Sequence, residues 1–480
     1  MNNLLKLDKK YLWHPFTQAR EWEIDLSPSL MITRGRGIYL YDSRGKKYID
    51  GTSSLWANIH GHRCRAIDAS IRAQLNKVAH TTFLGLTHQP GILFARELVK
   101  ISPAGLNRVF YSDNGSTAVE VALKMAFQYR AQSGKPGHPV KLEFLALKNS
   151  YHGDTLGAVS VGGTDLFHKL FKPLLFKTRF AMSPHCLRCP HNKSRRLRDL
   201  PREVLAYRYN GETPKPGDKR PRTDCRWECL KEVEAILKKH GKNIAGAIVE
   251  PVVQGAGGMI VMPPGYLKGF ELLCKKYEIL LILDEVLTGF GRTGKIFACA
   301  HENVKPDLLC LSKGITGGYM PLAATLASEK IFRAFLGEYE DYKTFFHGHT
   351  YTANPLACSA GRASLKLARA KAFLTGIKKL EKLFTGLLSE ILPLPFVGHI
   401  RQAGLIAGIE IVKDKNTLEH FPPSLRIGKR ICDEARKSGI ILRPLGDVLV
   451  LIPPLSIKER ELAALVGNLK VSMGRISYEY

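Results

Sequence analysis

Residues 280–292 read LLILDEVLTGFGR and residues 308–318 read LLCLSKGITGG. Each opens on an unbroken apolar run bounded by a loop. That is the pattern of a strand buried on both faces, whereas a half-exposed strand would alternate apolar and polar residues. Each run also ends at a charged side chain: Asp284 closes the first and Lys313 follows the second. The two are 29 positions apart, about one strand-crossover-strand unit, so neighbouring parallel strands would deliver both to one crevice. Ligands bind outside the carboxyl ends of strands in open α/β sheets, and a buried carboxylate there needs a cation or a protonated ring to face it. An ion pair between Asp284 and Lys313 would meet that need. So would Schiff-base chemistry, in which a lysine of depressed pKa condenses with a carbonyl while the acid keeps a pyridine nitrogen protonated.

Outward from these segments the alternation continues. VFYS precedes a helix expected over residues 116–131, and FLALK and AGAIVEPVV are further apolar runs separated by helical patterns. This indicates an α/β architecture with a mainly parallel sheet flanked by helices. Residues 1–80 carry turn signals between short strands, with a helix over 66–78, and form the N-terminal part of a smaller domain. Residues 81–352 form the large α/β domain. Residues 353–480, with long helical segments and the runs GLIAGIEIV, GIILRPLG and VLVLIPP, form the rest of a small α+β domain. Within the large domain, residues 183–229 read as a polar, proline-rich insert carrying Cys186, Cys189, Cys225 and Cys229. Two close cysteine pairs could hold a tetrahedral zinc ion, but the CxxxC spacing of the second pair favours plain loop thiols.

Composition narrows the class. The 480 residues are 45% hydrophobic and 24% charged, with 43 Gly and 26 Pro, which excludes disordered and collagen-like chains. Ten cysteines are too few for a disulfide scaffold. The apolar runs are far shorter than the ~20 residues that span a bilayer, and the start has no basic region leading into an apolar one, so a cytoplasmic protein without a membrane partner is expected. The net charge of +28 invites a nucleic-acid reading, yet the cationic residues are scattered. The richest stretch, residues 186–226, holds twelve Lys and Arg against five Asp and Glu, with no basic arm or RNP-like aromatic motif. A solvated cationic surface is the expected reading, with no nucleic-acid partner.

Further candidates for the chemistry lie between the strands. Ser112 to Thr117 (SDNGST) sits between a strand and a helix, where backbone N–H groups can meet a phosphate, although Ser, Asp and Asn favour any helix start. Tyr151 and Asp154, in YHGD, offer a ring face and a carboxylate. FHGHTY, residues 346–351, supplies a glycine turn and a hydroxyl. Arg443 lies between two apolar runs, where it could clamp a carboxylate or form a surface ion pair. A lysine, an acid and an anion site together point to pyridoxal phosphate.

These segments resemble the class III pyridoxal-phosphate aminotransferases, a fold type I family, over nearly the whole chain. The hallmark is LILDEVLTGFGRTGK through LSKGITGGYMPLAA. Within the family, WHPFT (13–17), DGTSSLW (50–56), IHGH (59–62) and EPVVQGAGGM (250–259) are similar to the branch that aminates 8-amino-7-oxononanoate on the route to biotin. The resemblance implies that Lys313 binds the cofactor covalently and then moves protons, and that Asp284 holds the pyridinium proton. It implies that Gly115 and Ser116 bind the phosphate and that Tyr151 stacks on the ring. His349 and Thr350 would reach the phosphate in the other subunit, so a homodimer follows. Gly348 and Arg443 correspond to substrate contacts, with Arg443 on the carboxylate, and Asp154 and Arg292 to residues shaping the same pocket. Two positions depart from the best-known pattern: Phe16 stands for a tyrosine and Leu55 for a tryptophan. Branch members with such residues include some that use lysine in place of S-adenosyl-L-methionine as amino donor. S-adenosyl-L-methionine is retained as the expected donor, with lysine as the rival. A family member acting on ornithine, 4-aminobutyrate or a diamine is the further alternative.

Overall fold

The computed structural model describes residues 2–24, 30–132, 142–191, 205–209 and 225–477. Its centre is a seven-stranded sheet in the spatial order Leu106–Ser112, Ala323–Ser328, Leu308–Leu311, Leu280–Asp284, Ile244–Val249, Glu143–Leu147, Thr178–Ala181. Every neighbouring pair is parallel except those made by Ala323–Ser328, which runs antiparallel to both its neighbours. The unbroken apolar runs have the meaning read from the sequence, because Ile244–Val249, Leu280–Asp284 and Leu308–Leu311 are buried at every position. Alternate residues serve opposite faces. Leu281, Leu283, Leu309 and Leu311 join one apolar core, while Leu280, Ile282, Leu308 and Cys310 join a second on the other side. Fully burying each such side chain contributes about 1.5–3 kcal/mol.

The helix Gly115–Gln132 follows directly on the strand Leu106–Ser112. It lays Ala118, Val119, Ala122 and Ala126 against one face of the sheet, where Thr325 Oγ1 donates to the Ala118 carbonyl at 2.8 Å. Its start is therefore fixed at the carboxyl edge of the strands. On the opposite face the helix Pro355–Ala368, capped by Asn354 Oδ1 accepting from Ala357 N at 3.0 Å, packs on Arg65–Leu75 and Gln89–Ile101. Among the described residues no helix is long and apolar enough to cross a membrane.

The two ends of the chain share a second layer. Lys47–Asp50 pairs in parallel with Ile440–Ile441, and Ile49 N donates to the Gly439 carbonyl at 2.8 Å. A five-stranded sheet follows the order Arg443–Leu445, Val448–Leu451, Ile406–Ile411, Val397–Ala403, Ala206–Arg208. Its last member corrects the expectation of a loop insert belonging to the large domain. Ala206–Arg208 runs parallel to Val397–Ala403, and Tyr209 N donates to the Gln402 carbonyl, so part of residues 183–229 belongs to the C-terminal sheet. Three residues are too short to show any periodicity.

The four insert cysteines all lie among the described residues. Cys229 is half-buried and its thiol is pushed up to about 12, by burial first and then by Cys225 and Cys189 nearby. Among the described residues no group of three or more His, Cys, Asp and Glu side chains is arranged to hold a metal ion.

Candidate active site

A cavity of about 730 Å³ opens at the carboxyl edge of the large sheet. Asp284 ends its strand in the cavity wall, buried, with Oδ2 2.7 Å from His152 Nδ1 and Oδ1 accepting from Val286 N at 3.0 Å. Lys313 reaches the same cavity from the end of the neighbouring strand, held at φ 47° in the left-handed region. Burial lowers the pKa of its ammonium group, opposed by the carboxylates of Asp284 and Glu250, while Arg292 lowers it further. A lysine so placed holds more of its nitrogen in the nucleophilic, neutral form.

The helix start supplies the anion end. Thr117 Oγ1 accepts from the N–H groups of Asp113 and Asn114 at 3.1 and 3.0 Å, and Thr117 N donates to Asn114 Oδ1. Gly115 and Ser116 line the cavity beyond this turn. A Cβ on Gly115 would lie 2.7 Å from Val286 Cγ1, and one on Gly153, at φ +127°, would lie 2.1 Å from Ser116 Oγ. The two glycines let Val286 and Ser116 press against the backbone at the helix N-terminus, where a phosphate is favoured. A lysine, a buried acid and an anion cradle around a space of this size fit pyridoxal phosphate.

Tyr151 and Asp154 stand on one wall, joined by a hydrogen bond from Tyr151 Oη to Asp154 Oδ2 of 2.7 Å. Burial, and then this bond, raises the phenol's pKa, so it stays a donor. The back of the Tyr151 ring stacks on His168 at 6.3 Å. A second cavity of about 430 Å³ continues past Tyr151 and Lys313 and is walled by Phe16, Leu55, Trp56 and Phe167. Arg443, exposed, also lines it, with Cζ 5.7 Å over the Phe16 ring.

Not every candidate meets these cavities. Arg292, expected to shape the pocket, is 1% exposed and is not among the described residues that line either cavity. Its Nη1 donates to the Pro453 carbonyl at 2.7 Å, and Nη2 donates to the carbonyls of Trp56 and Asn58 at 3.1 and 2.9 Å. Burial brings its pKa down to about 9. Arg292 thus braces the backbone at residues 56 and 58, next to the cavity-lining Trp56 side chain. Gly348, His349 and Thr350 also lie outside the two cavities, although His349 Nδ1 is 2.5 Å from Asp113 Oδ2, beside the anion end.

Other residues carry no role in the sequence reading yet stand at the site. Glu250 directly follows Ile244–Val249, the strand paired beside Asp284's, and the signal that marks Asp284, a carboxylate closing an apolar run, marks it equally. Its oxygens accept from Tyr151 N and Gly255 N at 3.0 and 2.8 Å, and burial pushes its pKa up to about 7, with Asp284 contributing. Trp56 lies under Lys313, whose Nζ is 5.0 Å from the ring. Ser53, Ser54, Leu55 and Trp56 all have positive φ, at 51°, 47°, 64° and 72°. This left-handed turn contains no glycine, and each residue in it costs roughly 1–2 kcal/mol over a right-handed one.

Residues 23–473 match the family model for aminotransferase class-III. The chain is 48% identical to the adenosylmethionine-8-amino-7-oxononanoate aminotransferase of Geobacter sulfurreducens, over 98% of this chain and 97% of that one. Among solved structures it resembles the enzyme of the same name from Methanocaldococcus jannaschii, with TM-score 0.87, 41% identity and 99% of each chain covered. It also resembles a PLP-bound amine transaminase from an uncultivated Pseudomonas species, with TM-score 0.83, 34% identity and 97% and 98% of the two chains covered. The lysine, acid and anion cradle at one sheet edge and these matches lead to one conclusion: the chain belongs to the class III aminotransferases and is a pyridoxal-phosphate-dependent transaminase.

Proposed function

We propose that this transaminase moves an amino group from S-adenosyl-L-methionine to 8-amino-7-oxononanoate, giving 7,8-diaminononanoate for biotin synthesis in the cytoplasm. The observation that carries the reading is the 430 Å³ chamber, whose walls are mainly apolar and whose lining includes both Lys313 and Arg443. An aliphatic keto acid matches that chemistry, with its carboxylate on the guanidinium and its carbonyl toward the lysine.

Bound pyridoxal phosphate supplies an aldehyde that takes up the amino group and a pyridine ring that withdraws electrons. In this reading Lys313 anchors the cofactor and afterwards takes and returns a proton at Nζ. Asp284, held by His152, keeps the ring nitrogen protonated. Gly115 and Ser116 bind the phosphate, and Tyr151 offers its free face to the ring. Arg443 orients the substrate carboxylate, while Phe16, Leu55 and Asp154 bound the substrate side and Arg292 supports it from behind.

His349 and Thr350 reach the phosphate of a second copy, and Gly348 contacts its substrate. Exposed apolar side chains around that segment support a homodimer, since Phe346 is 72% and Tyr351 61% exposed. Lysine as donor is the second reading. It is supported by Phe16 and Leu55, which leave the chamber wall without a phenol or an indole at those positions.

The experiment supplies 8-amino-7-oxononanoate and either donor to the purified holoenzyme and measures diamine. Diamine from S-adenosyl-L-methionine supports the first reading and diamine from lysine alone the second. Absence of diamine from both, with turnover of ornithine or 4-aminobutyrate, would replace them.

A further inference from the structure

The left-handed turn Ser53 to Trp56 is held from outside. Its own residues do not favour it, since none of Ser, Leu and Trp takes positive φ readily. Asp50, 0% exposed, stands at its base. Ser54 N donates to Asp50 Oδ1 at 2.9 Å and Ser54 Oγ donates to Oδ2 at 2.7 Å, so one carboxylate grips both the backbone and the side chain of the turn's second residue. His62 Nε2 lies 3.1 Å from Oδ2, and the carboxylate's charge also acts on the buried Arg292 guanidinium. Ser53 Oγ ties the turn to the Ile452 carbonyl at 2.6 Å, and Arg292 ties its far end. Gly318, at φ +82°, lets the following backbone press close, because a Cβ there would lie 2.9 Å from Asn58 N.

The consequence is directional. Leu55 and Trp56 line both cavities, and a turn relaxed to right-handed or extended backbone would point them elsewhere. Lys313 and Asp284 stand at the ends of two central strands, so their backbones are set by the sheet, and the turn meets them only where the Trp56 ring lies 5.0 Å from Lys313 Nζ. We infer that Asp50 is a positioning residue: it holds residues 53–56 left-handed and thereby sets the shape of the substrate chamber. It acts on affinity for the amino acceptor while standing outside the chemistry. The inference deepens the function proposed above and rests on it for the choice of acceptor.

The test compares wild type, Asp50→Ala, Asp50→Asn and Asp50→Ala/Ser54→Gly as holoenzymes, below their melting temperatures. Asp50→Ala is expected to raise KM for 8-amino-7-oxononanoate at least tenfold, with a smaller fall in kcat and an unchanged cofactor absorbance spectrum. Asp50→Asn keeps the shape but loses one acceptor, so KM should rise at least threefold. This variant decides the matter if Asp50→Ala does not fold. Ser54→Gly in the Asp50→Ala background removes the penalty for positive φ at residue 54, one of the four, and should recover at least threefold of the lost KM, which a merely structural carboxylate would not allow. A KM within twofold of wild type in Asp50→Asn, a fall confined to kcat, or no recovery on adding glycine overturns the inference. Wild-type inactivity toward 8-amino-7-oxononanoate would sink the substrate reading alone. The same variants are then compared on the amine half-reaction, followed by cofactor absorbance with whichever donor reacts.

Discussion

His152 Nδ1 and Asp284 Oδ2 meet at 2.7 Å in the wall of the cofactor cavity, both side chains closed to solvent. The histidine is the immediate neighbour of Tyr151, so one short loop supplies both a ring face and the partner of the strand-end acid. A hydrogen bond to a charged group contributes about 1.5–3 kcal/mol. His152→Ala should therefore lower kcat/KM by roughly 10- to 150-fold, at about 1.4 kcal/mol per tenfold. The cofactor spectrum should shift toward the unprotonated ring, as Asp284→Asn would produce more fully. Steady-state rates and the absorbance spectrum check both outcomes. An unaltered spectrum in His152→Ala would mean that Asp284 keeps its place unaided.

Arg443 faces the substrate chamber over the Phe16 ring. Arg443→Ala should raise KM for the keto acid by roughly 10- to 150-fold, the loss expected when a charge-assisted contact of about 1.5–3 kcal/mol is removed. Arg443→Lys should recover only part, because an ammonium does not form the paired geometry of a guanidinium. A substrate analogue without the carboxylate should be insensitive to both changes, which separates carboxylate binding from general damage.

Gly115 and Gly153 are predicted to be intolerant of alanine for different reasons. Gly115→Ala drives a methyl to 2.7 Å from Val286, a side chain that can shift, while Gly153→Ala meets Ser116 and also holds alanine at φ +127°. Overpacking costs about 1–3 kcal/mol. Cofactor retained after dialysis, read by absorbance, should fall in both variants and further in Gly153→Ala.

Glu250 makes stability depend on pH. Burial raises its pKa to about 7 in the folded chain, above the 4.5 of an unperturbed glutamate. Between those values the folded state holds a proton that the unfolded state has lost. Stability from this group is thus complete below about pH 4.5, declines as the pH rises toward 7, and is level above. Glu250→Gln cannot titrate, so the difference in melting temperature between variant and wild type should move in the variant's favour across that window and then stay constant. A constant difference from pH 4.5 to 8 would show that Glu250 ionises normally.

The elements most legible in the sequence are those whose environment is uniform. Residues 280–284 and 308–311 are buried on both faces, so unbroken hydrophobicity announces them, and Asp284 and Lys313 stand out as the charges that end them. Arg292 shows where spacing stops informing. It follows Gly291, at φ +98°, and no periodicity says which way a side chain leaves such a turn, so its burial behind the pocket was invisible. The left-handed turn was hidden for a related reason: SSLW contains neither glycine nor asparagine, and the conformation is held by Asp50, four residues before Ser54, together with Arg292, far away in the chain. Phe167, 5.7 Å from Phe16 and 6.0 Å from Tyr151, belongs to a short helix with no distinguishing pattern.

The pairing of Lys47–Asp50 with Ile440–Ile441 bears on how the enzyme is made. The two partners are roughly 390 residues apart, and Arg443 lies just beyond the later one. At a synthesis rate of about 5–20 residues per second, the earlier strand waits about 20 to 80 s for its neighbour to leave the ribosome. The sheet beneath Asp50 closes only after residues 440 and 441 have been made. A nascent chain stalled short of residue 440 would carry both Lys313 and Asp284 yet lack the strand that flanks Asp50 and the guanidinium that lines the second cavity.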